Sequence, residues 1–449
     1  MNSTILIPIL LMLVMMAGGI WVAAAIGLSG MVGLFLLTDF NRMLDATASS
    51  LWSAMTSFEL LAFPLFLLMG ELLYQAGFME KVYIEVSKWV KWLPGRLIHS
   101  NIVASAIFAA CSGSSLASAS TLGRTSYRVL KEMGYDKKLS IGSIAAGGVL
   151  SILIPPSGIL IIYGAVAQVS VGQLFLAGIA PGALLVVLFT FYIILVAKIH
   201  PERIPFNQEN VHLSEQKGFI GQQRNLFLRF WLGVMEFGRS LLAMWQILIV
   251  IMVVLGAIYG GIATPTEVGG VGAALAFIFG VIGKKVEFKK LQKSLVNAAS
   301  MTAAILVIVF SAKLMILTVT YAKLPPFIGR WVEEQGLSPW VFMVFVLVIY
   351  LILGMFFDGI SILLLTLPFV IPIAQSLGID MVWFGILVTI AIEFGLLSPP
   401  VGFNLFVLRS STNEGLDVIT QGALPFLIPI SILLLLVFIF PEIALFISR

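Results

Sequence analysis

The chain has 449 residues, of which 60% are hydrophobic and only 11% charged, with a net charge of +4 and a mean hydropathy of +1.07. A soluble domain carries roughly 25% charged residues, so this much apolar surface needs lipid as its solvent, which excludes a soluble enzyme, a nucleic-acid binder and a disordered chain. A single cysteine, Cys111, excludes a disulfide framework, and three scattered histidines (His99, His200, His212) argue against a histidine metal centre.

Solid apolar runs such as 247–257 and 340–357 lack the apolar–polar alternation of barrel strands and predict an all-α polytopic membrane protein. No basic residue precedes Arg42, so the start is expected to be a retained membrane segment rather than a secretory signal. Two short spans are expected before Thr38, reversing at Gly18 and Gly19, and 51–75 then runs inward. Four stretches are basic: 81–96, 124–138, 198–239 and 284–293. The positive-inside rule makes them cytoplasmic. The polar breaks 39–50, 167–173 and 369–380 are poor in Lys and Arg and read as external, whereas 323–338 is mixed. Both termini come out external.

Segment 97–123 is apolar and one membrane thickness long, yet the basic stretches on both sides of it read as cytoplasmic. Its middle, Cys111-Ser112-Gly113-Ser114-Ser115, is rich in helix breakers. A re-entrant hairpin fits, with arms of about 12 residues, or roughly 18 Å each. Irregular backbone at that depth is tolerated only where it lines a cavity or is buried in protein. The next span, 139–166, is interrupted by Pro155-Pro156-Ser157-Gly158, and 178–197 returns.

A shift of 244 positions superimposes Gly134 on Gly378, Asp136 on Asp380, Pro155, Pro156 and Gly158 on Pro399, Pro400 and Gly402, and Gly178 and Pro181 on Gly422 and Pro425. It also lays the basic stretch 124–138 on 368–382, which has no Lys or Arg. Equivalent loops then face opposite sides, which predicts two inverted-topology repeats, as in secondary transporters. The second repeat supplies spans 241–260, 268–282 and 295–321, a hairpin 340–367 with tip 356–361, a helix 383–408 broken at 398–402, and a last span at 425–440. The chain divides into 1–50 and 51–200 (first repeat, hairpin 97–123, break 155–158), a cytoplasmic connector 201–240, and 241–294 and 295–449 (second repeat). The connector carries an amphipathic face, with Phe227, Phe230, Trp231 and Val234 opposite Arg224, Arg229 and Glu236.

Two successive prolines followed by glycine leave backbone carbonyls without helical partners. At mid-membrane depth such a ring of neutral oxygens suits a monovalent cation. Two pseudo-symmetric sodium sites are expected. The first joins Ser112, Gly113 and Ser114 to Pro155 and Gly158. The second joins Asp358 and Gly359 to Ser398, Pro399 and Gly402. Asp358 is a carboxylate at a hairpin tip, and an intramembrane charge is a functional hypothesis by default. Lys313 and Glu393 also fall within spans and read as structural ion-pair or snorkelling residues. Glu267, after Thr264-Pro265-Thr266, reads as a helix cap, Cys111 as a small packed residue, and Trp89, Trp92 and Trp331 as interface anchors.

The run Gly260-Gly261-Ile262-Ala263-Thr264-Pro265-Thr266-Glu267 resembles the signature of the large membrane (M) subunit of TRAP transporters, the tripartite ATP-independent periplasmic carriers. Glu71-Leu72-Leu73, Ser112-Gly113-Ser114, Ile154-Pro155-Pro156-Ser157 and Phe440-Pro441-Glu442 are similar too. The resemblance covers essentially the whole chain. It implies an elevator-type, sodium-coupled importer of small organic acids in the bacterial inner membrane, not an enzyme, in which 1–50 and 241–294 are scaffold helices. Na+ is the coupling ion and no other cofactor is implied. The implied partners are a separate small (Q) membrane subunit and a periplasmic substrate-binding (P) protein. Ser112, Ser115, Ser157, Asp358 and Asn404 are then candidate substrate contacts. A single-component dicarboxylate or inorganic-ion carrier is the alternative. An intramembrane enzyme lacks support, because no zincin motif, paired catalytic acids or Ser-His-Asp set is found, and a channel does not need mirrored hairpins.

Overall fold

The computed structural model describes residues 5–205, 226–283, 288–334 and 338–448, and the described residues are helical with no strand. The first half runs α1 (Leu6–Ala17), α2 (Val22–Leu37), α3 (Phe40–Met55), α4 (Ala62–Gln75), α5 (Phe78–Val90), α6 (Leu97–Ser112), α7 (Ser115–Glu132), α8 (Lys137–Leu153), α9 (Gly158–Ala167) and α10 (Val171–Ile199). The second runs α11 (Leu226–Ala243), α12 (Trp245–Tyr259), α13 (Pro265–Ile282), α14 (Phe288–Tyr321), α15 (Leu324–Glu334), α16 (Pro339–Gly354), α17 (Gly359–Ser376), α18 (Met381–Leu397), α19 (Phe403–Thr412), α20 (Leu416–Ala423), α21 (Leu427–Ile439) and α22 (Glu442–Leu445). Among the described residues six helical stretches are long and apolar enough to cross a membrane.

The expected breaks fall where helix-breaking residues demand them. Ser114 caps α7 by accepting the Ala117 amide, and Ser157 caps α9 through the Leu160 amide. Asp136 and Asp380 cap α8 and α18 in the same way. Gly134 and Gly378 precede those caps with φ of 79° and 69°, a conformation that glycine adopts without a Cβ penalty.

Three boundaries differ from the sequence reading. The arms of the first hairpin are 16 and 18 residues long rather than about 12, because α7 continues through the basic stretch to Glu132. At 1.5 Å per residue the 16-residue arm is about 24 Å, still short of the ~30 Å hydrocarbon core. The break expected at 39–50 is instead helical: Asp39 caps α3, on which Asn41, Arg42, Asp45 and Ser49 are exposed while Ser50 is buried. α3 then bends by 48° into the next helical stretch, so the span expected at 51–75 is not straight. The mixed stretch 323–338 contributes the helix α15. Residues 206–225 of the connector, the side chains of its amphipathic face from Phe227 to Val234, positions 284–287 of the fourth basic stretch and the side chain of Trp331 lie outside the described residues. The connector is anchored at its described end by a Lys91–Glu236 ion pair of 2.9 Å and by a tilted ring contact between Trp89 and Phe237.

α8 and α18 form the centre. Every residue of α8 from Leu139 to Leu153 is buried, and α18 is buried from Trp383 to Leu397 apart from Phe394. Small residues on α8 allow this. A Cβ on Gly147 would overlap Ser105 of α6, and one on Gly142 would overlap the carbonyl of Gly422 on α20. Lipid offers no hydrophobic drive between helices, so such close backbone approach and buried hydrogen bonds hold the bundle. Asn101 donates to Ser143 (2.7 Å) and accepts from Ser126, which links α6, α7 and α8. A second unit pairs α2 with α14: Gly27, Gly30 and Gly33 lie directly against Ser311, Leu314 and Thr318, and Thr318 donates to the Gly30 carbonyl at 2.8 Å. α4 packs on α13 through Gly269 and Gly272, which meet Leu65 and Met69.

Candidate functional site

Hairpin one, α6–α7, turns at Gly113, and its φ of +60° favours glycine. A Cβ there would stand 2.4 Å from the carbonyl oxygen of Pro156. The Gly158 amide donates to the Gly113 carbonyl at 3.2 Å, so the tip and the α8–α9 break are joined by backbone alone. Hairpin two, α16–α17, turns through 355–358. Asp358 caps α17, accepting the amides of Ile360 and Ser361 at 3.1 Å each. In the α18–α19 break Gly402, at φ +61°, donates its amide to the Met355 carbonyl at 2.9 Å. Gly354 and Gly395 lie backbone to backbone beside it, with no room for a Cβ on either. The Pro155–Pro156 and Pro399–Pro400 peptides are both cis.

The two tips meet at one cavity of about 120 Å³. Ser112, Gly113, Ser114, Ser115, Pro156 and Gly158 face it from one side, and Asp358, Gly359 and Ile360 from the other. Among the described residues that line it, Asp358 is the one formal charge and none is cationic. The Ser112 hydroxyl has no hydrogen-bond partner. The residues expected at the first sodium site thus line the cavity, except Pro155, which does not. Of the second set only Asp358 and Gly359 reach it. Ser398, Pro399 and Gly402 do not line it, and the Ser398 hydroxyl donates to the Phe394 carbonyl at 2.7 Å. Of the candidate substrate contacts, Ser112, Ser115 and Asp358 line the cavity, whereas Ser157 and Asn404 are fully buried outside its lining.

The wall opposite the tips was not legible in the sequence. Phe63, Phe66 and Leu67 of α4 and Met301 of α14 close the cavity, and apolar residues on apolar helices carry no distinguishing mark. One signal was present: Gly70 on α4, where a Cβ would come within 2.9 Å of the Ser112 Cα, marks a helix that must touch the hairpin tip.

One charged residue behaves differently from expectation. Glu393 neither snorkels nor forms an ion pair: it is fully buried in the middle of α18, and neither carboxyl oxygen has a hydrogen-bond partner. Its side chain is too short to reach an interface from there, and the polar side chains acting on it are Ser115 and Asn404. Lys313 donates to the Ser53 hydroxyl on α3 at 2.7 Å, and the Glu59 carboxylate acts on it through space. Glu267 is a cap as expected, in a reciprocal capping box with Thr264. Cys111 is a buried free thiol, as its packing role requires, and Trp92 is largely exposed. A third acid stands out at the end that the basic stretches mark as cytoplasmic. Glu414, in the α19–α20 turn, accepts from Lys131 (2.7 Å), Tyr127 (2.8 Å) and Lys137 (3.4 Å). The Lys131 hydrogen bond, followed by that of Tyr127, holds its carboxyl down at about 2.

The profile of the family described as the tripartite ATP-independent periplasmic transporter, DctM component, matches residues 9–443. Two similar proteins are the C4-dicarboxylate TRAP transporter large permease DctM of Pseudomonas aeruginosa, 32% identical over 94% of this chain and 93% of its own length, and the sialic acid TRAP transporter permease SiaT of Haemophilus influenzae, 31% identical over 100% of this chain and 69% of its own length. Among solved structures the Alcanivorax borkumensis YdaH transporter is alike in fold, with a TM-score of 0.60 over 90% of this chain and 89% of that one at 14% identity.

Proposed function

We propose, because this chain belongs to the DctM family of tripartite ATP-independent periplasmic transporters, that it is the large permease subunit of a sodium-coupled importer of small organic acids. One observation carries the reading: two hairpin tips, each latched to a helix break, converge on a single cavity. The cavity has one negative charge and no positive one, so an anionic cargo would be repelled by Asp358 unless cations enter with it. Sodium bound among Ser112, Gly113, Ser114, Pro155 and Gly158 and among Asp358, Gly359, Ser398, Pro399 and Gly402 supplies that charge. The cargo carboxylate then takes hydrogen bonds from Ser112 and Ser115 in the cavity, with Ser157 and Asn404 as a reserve behind it. Relatives named for C4-dicarboxylates, sialic acid and isethionate are consistent with a small organic anion.

The halves 51–200 and 295–449 act as inverted repeats, each hairpin being re-entrant. Their hairpins and broken helices move together as an elevator along a scaffold drawn from 1–50 and 241–294. That the cavity lies between the tips and α4 and α14 supports a sliding surface there. A small membrane subunit braces the scaffold, and a periplasmic binding protein delivers the cargo at the outer face of the inner membrane. The test is uptake into proteoliposomes holding the permease and its small subunit, with the cognate binding protein outside. Uptake should require an inward sodium gradient and accelerate with a negative interior, since moving one charge through 100 mV is worth about 2.3 kcal/mol. Uptake indifferent to both gradients would overturn the sodium reading, and uptake undiminished without the binding protein would overturn the tripartite one.

A further inference from the structure

Glu393 has no exposed surface. Neither carboxyl oxygen makes a hydrogen bond of full geometry, nor do Oδ1 and Nδ2 of Asn404 in the first turn of α19, although Ser115 and Asn404 stand close enough to act on the carboxyl as hydrogen-bonding groups. Ser115 is the first residue of α7 and also lines the central cavity. The carboxyl therefore sits one layer behind that cavity, between hairpin one and the second helix break.

An ionised carboxylate in such a place is costly unless it is paired. Among the described residues no opposite charge is at hand. Of the helices packed against α18, α17 and α21 carry no titratable side chain. α16 and α9 bring Tyr350 and Tyr163, whose hydroxyls are engaged with Thr366 and with the Met381 carbonyl. α8, α10, α19 and α22 bring Lys137, Lys138, Tyr192, Lys198, Arg409 and Glu442, which are exposed or half-exposed. On α7 the first charged residue, Arg124, is nine positions beyond Ser115, about 13 Å along the axis.

The unsatisfied atoms themselves indicate the ligand. The carboxylate offers two acceptors, and Asn404 offers one acceptor and one donor nitrogen. A sodium ion would take the oxygens and leave the amide nitrogen facing a cation. One proton satisfies all four atoms. We propose that Glu393 and Asn404 form a proton-binding site, in which the protonated carboxyl donates to Oδ1 of Asn404 and Nδ2 donates back to the other carboxyl oxygen. Only an oxygen–hydrogen bond forms or breaks, and Ser115 is the polar step between this carboxyl and the cavity. Transport then has a pH dependence distinct from its sodium dependence.

The assignment does not depend on cargo or on sodium coupling, and infrared spectroscopy of the full chain in lipid bilayers reads it without transport. At neutral pH a carboxylic-acid C=O band should be present, should be missing from Glu393→Gln, and should move to higher frequency in Asn404→Ala, which keeps the acid but removes its partner. Glutamine can make the same paired hydrogen bonds, so Glu393→Gln should fold and transport, with an uptake profile that no longer changes with pH, while wild-type uptake varies at least severalfold. Three results would overturn the proposal: no such band at neutral pH, a band that appears only when sodium is withdrawn, or a band that Asn404→Ala leaves unmoved.

Discussion

Replacing Gly113 by alanine isolates the contact between hairpin one and its helix break. Two costs arise. The residue sits at φ +60°, where a Cβ costs about 1 kcal/mol. The new Cβ also lies 2.4 Å from the Pro156 carbonyl oxygen and 3.3 Å from the Gly158 amide nitrogen. Both are backbone atoms in a buried break, and the Gly158 amide is the one that donates to Gly113. Relief requires the tip to withdraw by most of an ångström, an overpacking cost of about 1–3 kcal/mol, and weakens a buried backbone hydrogen bond worth about 1 kcal/mol. The sum is about 3–5 kcal/mol, concentrated at the cavity wall. Gly77→Ala is the control, because Gly77 has φ +70° but nothing within 4 Å of its Cβ position, so only the first cost applies. Both variants should reach the membrane. Sodium-driven uptake in proteoliposomes should fall at least tenfold in Gly113→Ala and stay within about twofold of wild type in Gly77→Ala. Wild-type uptake and sodium dependence in Gly113→Ala would refute the claim that the latched tip shapes the binding cavity.

Asp358→Asn should leave melting temperature unchanged, since asparagine caps α17 as well as aspartate does, while uptake falls at least tenfold with weakened apparent sodium affinity; wild-type uptake at limiting sodium would make Asp358 a cap and nothing more. Glu414→Gln should lower stability at neutral pH. Its carboxyl is held at about 2 against an ordinary 4.5, which unscreened is worth about 3 kcal/mol, reduced to about 1–2 kcal/mol because both lysines are half exposed. A depressed folded value contributes fully above pH 4.5 and is lost as pH falls towards 2, so the melting difference in detergent should close over that window; a difference that persists unchanged at the acid end would show that the loss is not electrostatic.

What could be read in advance was the chemistry of interruption. Gly113, Gly158 and Gly402, Ser114, Ser157 and Asp358 stop or start helices through their own backbones and short side chains, and of these Ser114 and Asp358, and Gly158 and Gly402, are 244 positions apart. Gly134 and Gly378, and Asp136 and Asp380, fill matching turn and cap roles for the same local reason. Charge misled where a helix simply carries its polar face into water: α7 does not stop at Arg124, and α3 absorbs the residues after Asp39. Apart from Gly70 on α4, tertiary partners left no trace. Phe63 and Met301 look like any lipid-facing bulk until α4 and α14 are placed beside the tips. Glu393 looked like half of an ion pair because nothing in its own helix tells that its neighbours are Ser115 and Asn404.

The latches at the two tips are made from the amides of Gly158 and Gly402 and the carbonyls of Gly113 and Met355. No side chain takes part in the bonds themselves. The residues that face the cavity beside them, Ser112, Ser115 and Ile360, can therefore be exchanged without unfastening the frame that presents them. On the proposed function, such an architecture separates the vocabulary of cargo recognition from the grammar of the frame that presents it: a lineage could rewrite which anion is bound while the latches go on reading only their own backbone.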